Sequence, residues 1–428
     1  MSFTAALAPV SALLISVAIL LAGNGLQSTL VPIRANMAEF KQVDLGMLGT
    51  TYYIGFTLGC ILGPALVRRA GHIRAFLAMT SVASVVPLLH VMDISAPTWW
   101  VLRAFTGFCF AVLFIVIESW LNAKSSNATR GMVFSVYTII NLTVITAGQL
   151  MIGLADPNSF LLFGLASILV SLASLPVAFT IAATPAAASF ARPRMLKLFR
   201  ISPVGVIGCF AVGLANGAFW TLGPVYALNT GMDPIRVGLY MSAVVLGGAV
   251  AQWPLGLISD RIDRRQVIIA AAAIAAVAAL STLVIPLDDR EVLLVAGVLF
   301  GVGAMPLYPI VVAHANDAAA SSDYVEMSSG LLLIFGVGAA VGPLLASLIG
   351  AYAGFSALYV FTAVAHLLLI AYIASQMRWR AAPDEADRVG FSDSAIAAQT
   401  VTSFDPLSSQ AAQAGESKVP PGLKPETA

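Results

Sequence analysis

Asn24-Gly-Leu-Gln-Ser-Thr-Leu-Val-Pro-Ile-Arg-Ala35 and Asn216-Gly-Ala-Phe-Trp-Thr-Leu-Gly-Pro-Val-Tyr-Ala227 are two versions of one segment, 192 positions apart. Asn, Gly, Thr, Leu, Pro and Ala recur in register. The same offset, without a gap, pairs Gly46 with Gly238, Gly55 with Gly247 and Arg69 with Arg261. A duplication of this length in an apolar chain implies two copies of one membrane bundle. Solute sites in such proteins lie between the two copies.

Composition agrees. Of 428 residues, 59% are hydrophobic and 10% charged, too few charges to cover the surface of a water-soluble protein. The apolar residues fall in runs of about 20, the length of a bilayer-spanning helix, and the short alternating segments of a membrane β-barrel are absent. A net charge of +1 gives no footprint for nucleic acid. Cys60, Cys109 and Cys209 sit inside apolar runs, with neither metal-ligand nor disulfide spacing. No phosphate-cradling Gly-rich loop and no nucleophile–base pairing occurs, so neither an enzyme nor a cofactor is expected. The N-terminal run lacks a basic leader and continues past the length of a signal core, so it reads as an uncleaved first span.

Twelve spans are expected: 9–33, 45–67, 73–92, 98–121, 131–155, 160–182, 203–228, 235–258, 266–286, 291–314, 326–351 and 355–377. This gives an all-α membrane protein of two six-helix halves, residues 1–182 and 203–378. They are joined by a linker, 183–202, and followed by a tail, 379–428, expected to be disordered. One membrane face collects Arg68, Arg69, Arg74, Lys124, Arg130, linker cations Arg192, Arg194, Lys197 and Arg200, then Arg261, Arg264, Arg265, Arg378 and Arg380. The other holds Arg34, Lys41, Arg236 and Arg290. By the positive-inside rule the first face is cytoplasmic and carries both termini.

The loops between paired spans carry motifs. Gly256-Leu-Ile-Ser-Asp-Arg-Ile-Asp-Arg-Arg265 resembles the cytoplasmic signature of the major facilitator superfamily, matching at Gly256, Asp260, Arg261, Arg264 and Arg265. Its first copy, Pro64–Arg74, fits at Arg69, Gly71 and Arg74 but has Pro64 where Gly is usual and Arg68 where Asp is usual. Gly-Asn-Gly-Leu-Gln in the first span, Ile117–Asn122 and Leu307–Asp317 resemble the YcaD-like branch of bacterial facilitators, whose function is poorly characterised. The resemblance covers about residues 9–378. It implies the major facilitator fold: twelve helices in two six-helix bundles related by a parallel pseudo-two-fold repeat.

In that family the acid of the loop motif faces the N-terminus of a helix in the opposite half, where the helix dipole favours an anion. This would place Asp260 near Gly131. Arg68 has the wrong sign for that role, so a swapped pair of Arg68 or Arg69 with Glu326 is expected across the cytoplasmic gate.

Charges inside the spans are few, and each is a functional candidate. Arg103 lies in the fourth span, where the family's pattern has an Arg tied to substrate or proton handling. With Gly107 aligned to Gly301, an offset of 194, its counterpart in the second half is Gly297. Glu118 stands 15 residues further on, about 22 Å along the helix, and is expected to pair with Arg74 or Arg69. Asn24 and Asn216 sit mid-span beside glycines, placed for packing or for solute contact. Around them the copies diverge: Gln27 answers Phe219, Ser28 answers Trp220, and Arg34 answers Tyr226. Amides on one side and aromatics on the other suit an amphipathic organic solute. Asn141, Gln149 and Gln252 complete the candidates.

Two readings follow. The first is a monomeric secondary active or facilitative transporter in the bacterial inner membrane. It would move a small organic solute by alternating access, with Arg103 favouring an anion or zwitterion, and either proton coupling or facilitated diffusion. The Gly-Pro pattern of the family's antiporters is missing from the fifth span, which argues against antiport. The second reading is a transporter-like sensor or scaffold, which should carry an added folded domain. The polar tail offers none.

Overall fold

In lipid every backbone polar group must be satisfied within the chain, so long apolar runs fold as helices. The computed structural model describes residues 7–125, 127–180, 193–286, 289–320, 323–379 and 391. Among them twelve helical segments are long and apolar enough to cross a membrane: α1 (Ser11–Met37), α2 (Gln42–Ala70), α3 (His72–Met92), α4 (Ala96–Lys124), α5 (Thr129–Leu154), α6 (Phe160–Ala178), α7 (Pro203–Asn229), α8 (Pro234–Arg261), α9 (Arg264–Ser281), α10 (Arg290–Asp317), α11 (Glu326–Ala353) and α12 (Ala357–Trp379). α10 breaks at Met305–Pro306, where proline lacks the N–H that would continue the ladder. A short helix, Met195–Ile201, precedes α7, whose start is capped by Ser202 Oγ accepting from Gly205 N–H. Arg192, Arg380, half of the linker and most of the tail lie outside the described residues. Of the tail, Trp379 and Phe391 are described, and Phe391 is buried against Gly256 on α8.

The sequence repeat reappears as a packing repeat. α2 crosses α4, and α8 crosses α10, at contacts that only glycine permits. A Cβ on Gly107 would lie 1.9 Å from the carbonyl oxygen of Tyr52, and one on Gly301 would lie 2.0 Å from that of Val244. Tyr52 and Val244 are themselves 192 positions apart.

Three apolar cores hold the bundles. One, around Leu13, Val17, Phe76, Phe110 and Val116, belongs to the first half; another, around Val204, Cys209, Val267 and Val311, belongs to the second. The third joins the halves, packing Leu30, Leu45, Leu48 and Trp99 with Phe219, Leu222, Val225 and Val237. It lies at the membrane face with few cations. The halves are therefore fused at that end and separate toward the basic loops.

Candidate solute cavity

The fused end is tightly sealed. Thr50 Oγ1 donates to the Ala340 carbonyl at 2.8 Å, across the interface of α2 and α11. Directly behind this seal lies a cavity of about 190 Å³, lined by Asn24 and Ser28 from α1, Tyr52 and Tyr53 from α2, Arg103 from α4, and Trp220 and Thr221 from α7, among others. Both halves contribute to its wall.

Arg103 turns into this cavity rather than out to the headgroups. Its guanidinium lies over the Tyr52 ring, 4.4 Å from the centroid, a favourable cation–π placement. Its Nε donates a long bond, 3.4 Å, to the Leu48 carbonyl. Among the described residues no carboxylate lies within ion-pair distance of it. In the second half the equivalent Gly297 leaves room for the ring of Tyr240, which would lie 2.8 Å from a Cβ there. Tyr240 is the repeat counterpart of Leu48. The second half thus fills with tyrosine the space that the first half gives to a cation.

Tyr52 and Tyr53 also line a second chamber, about 410 Å³, which extends toward the basic loops. Glu118, Tyr137, Asn141 and Tyr308 form part of its wall. Glu118 is buried and accepts a bond from the Tyr137 hydroxyl at 3.4 Å. The expected pairing with Arg74 or Arg69 is not found, and neither of those arginines has an ion-pair partner among the described residues. Glu118 belongs to the cavity wall instead.

The remaining candidates divide. Asn24, Trp220 and Asn141 face the two chambers. Gln27, Gln149, Asn216 and Tyr226 are buried in helix packing, and Gln252 is half-buried on α8; none of these lines either chamber. The pseudo-symmetric asparagines therefore have unlike surroundings, since Asn24 meets the cavity and Asn216 does not. The sequence reading missed Tyr52 and Tyr53. Their counterparts are Val244 and Val245, so the repeat breaks there too, and that break was the available signal.

At the basic end the loop motif of the second half forms a buried network. Arg264 is 1% exposed; it binds Asp317 through Nε at 2.7 Å, Asp260 at 3.0 Å and Ser259 Oγ at 2.8 Å. Asp260 also accepts the backbone N–H of Phe391 at 2.9 Å. It does not reach Gly131, whose missing Cβ would have no neighbour within 4 Å, because the halves stand apart here. Nor does Glu326 meet Arg68 or Arg69. It is gripped by the linker: Arg194 donates through its backbone N–H at 2.8 Å and its side-chain nitrogens at 3.0 and 2.8 Å, while Lys197 lies 3.7 Å away and binds Asp323. The carboxylate in turn holds the Arg194 guanidinium above its ordinary pKa.

Twelve helices in two repeated bundles, with a cavity between them, define a membrane solute transporter. The sequence profile of the major facilitator superfamily matches residues 205–412 of this chain. It is 26% identical over 345 residues to the uncharacterised transporter YcaD of Salmonella typhimurium, covering 80% of this chain and 88% of that one. An uncharacterised transporter of the same type from Enterobacter sp. (strain 638) is 25% identical, covering 78% and 87%. Among solved structures, the nucleoside transporter NupG superposes with a TM-score of 0.73 at 11% identity, covering 87% of this chain and 100% of that one. A bacterial homologue of the lysosomal transporter Spinster, in an inward-facing and occupied conformation, gives 0.73 at 14% identity, covering 91% and 99%. The fold is thus shared with transporters, and the protein is a multi-pass protein of the bacterial inner membrane.

Proposed function

We propose that this protein is a monomeric secondary transporter that moves a small anionic or zwitterionic organic solute by alternating access, with Arg103 at its central site. The supporting observation is the placement of Arg103 in the cavity between the halves, without a carboxylate partner among the described residues. A cation in low dielectric is costly unless an anion answers it, and a solute anion would supply that answer. If the basic loops are cytoplasmic, both termini lie in the cytoplasm and the sealed end faces outward, so this is an inward-facing state. A thermal-shift screen of the purified protein against metabolite classes, repeated with Arg103→Ala, tests the reading. An anionic ligand should stabilise the parent and not the variant. A ligand that stabilises both equally would remove Arg103 from the site.

A further inference from the structure

We infer that the solute is a monoanion built on a single aromatic ring that also carries a hydrogen-bond donor. This rests on the reading of the Arg103 cavity as the solute site and narrows its chemistry. Three features of the wall carry it.

The first is size. A cavity of about 150 Å³ holds benzene, and this one measures about 190 Å³. Its own volume suits one ring with a compact charged group.

The second is charge and surface. Among the described residues Arg103 alone of the wall carries a fixed charge, so one negative charge balances the chamber and two would overload it. The guanidinium fork suits a planar carboxylate held by two parallel bonds. Three aromatic rings stand in the same wall. Arg103 already covers Tyr52, which leaves Tyr53 and Trp220, one from each half, to meet a solute ring.

The third is the hydrogen-bonding sense. Thr221 and Ser28 both direct their hydroxyl protons to carbonyls of their own helices, Thr221 to Gly217 at 2.8 Å and Ser28 to Gly25 at 2.9 Å. Their oxygens can then only accept from a ligand. A solute with a ring hydroxyl or amine matches that sense, and an unsubstituted ring leaves these acceptors unanswered.

The test measures dissociation constants of the full-length protein in detergent for 4-hydroxybenzoate, benzoate, cyclohexanecarboxylate, 4-hydroxybenzyl alcohol and tyramine. The same probes are run on Arg103→Gln, Arg103→Lys and Trp220→Leu. We expect 4-hydroxybenzoate to bind tightest and to weaken about ten- to hundredfold in Arg103→Gln, the cost of a lost charge-assisted bond, with partial recovery in Arg103→Lys. Trp220→Leu should erase the preference over cyclohexanecarboxylate. Equal binding of cyclohexanecarboxylate by the parent overturns the aromatic assignment, and tighter binding of tyramine overturns the sign of the charge. In both cases the cavity survives as the site if Trp220→Leu weakens the probe that bound. Binding that no substitution at Arg103 or Trp220 affects overturns the site itself. Binding of no probe overturns the solute class.

Discussion

Arg264 and Arg103 are both cations inside an apolar bundle, and they differ in what answers them. Arg264 has two carboxylates and a hydroxyl, which makes it a structural group. Arg103 has a ring face and one carbonyl, and no carboxylate among the described residues. Breaking a buried ion pair from one side strands the other charge, at a cost of about 3–5 kcal/mol. Asp317→Asn should therefore lower the thermal midpoint sharply. Asp260→Asn should cost less, because the Asp260 side chain is 34% exposed. Equal losses would refute this ranking. Asp263, in the turn between α8 and α9, is also fork-bound, with Arg265 at 2.7 Å. Burial alone would raise its carboxyl, but the bonds from Arg265 more than offset this and hold it below its ordinary value of 3.8. A carboxyl depressed on folding stabilises the fold above its unfolded pKa, and that contribution fades as pH falls through the lower folded value. Acid should thus loosen this turn only below about pH 4, and Asp263→Asn should remove that part of the acid sensitivity. Midpoints recorded from pH 7 to 3 that fall in parallel for both proteins would show that Asp263 is not its source.

The helices were legible because each is a long apolar run, and lipid leaves a backbone no alternative. Their contacts were legible only where glycine marks them. Gly55 recurs as Gly247 and, two positions out of that register, Gly107 recurs as Gly301, because two backbones meet at each crossing. The aromatic wall was legible only in part: Trp220 stood out, whereas Tyr52 and Tyr53 sit among apolar neighbours, where tyrosine serves equally well as span filler, and only the break in the repeat marks them. The crossing at Gly107 nonetheless bears on the site, since the backbone it touches belongs to Tyr52, the residue under Arg103. A methyl group at either Gly107 or Gly301 must push a carbonyl aside, an overpacking cost of about 1–3 kcal/mol. Gly107→Ala and Gly301→Ala should therefore destabilise the protein to similar extents. Gly107→Ala should in addition weaken solute binding, because its displacement moves Tyr52, whereas Gly301→Ala displaces Val244 in the half without the cation. Thermal midpoints and dissociation constants measured on both variants separate the two effects. Equal binding losses would mean that the cavity does not depend on the placement of Tyr52.

At the scale of the whole molecule the repeat revealed two halves, but not how they would be posed. That pose explains why several expected contacts across the basic end are missing: Asp260 and Gly131, or Arg68 and Glu326, cannot meet while the halves stand apart. Nor could the sequence show that Glu326 is held from the linker, since its partner lies 132 positions away in a segment without periodicity. Alternating access requires the basic end to close in turn, and Arg68 and Arg69 would then approach the start of α11. On this view Glu326 exchanges the linker cation Arg194 for an arginine of the first loop motif, and the linker clasp favours the state seen here. Weakening the clasp should shift the population toward closure. Because the Arg194 side chain is 69% exposed, water screens the pair, and the shift should be a few-fold rather than complete. A cysteine placed at Asn141, on the wall of the chamber nearer the basic loops, reports this through its alkylation rate once Cys60, on the same wall, is replaced by serine. Arg194→Gln should slow that labelling and Arg194→Lys should largely preserve it. Adding Arg68→Gln and Arg69→Gln to Arg194→Gln should restore the faster rate, because Glu326 then has no arginine of the first loop motif to close upon. An unchanged rate in Arg194→Gln would show that the clasp does not bias the transporter, and a rate that the added pair fails to restore would show that Glu326 has no second partner in that motif.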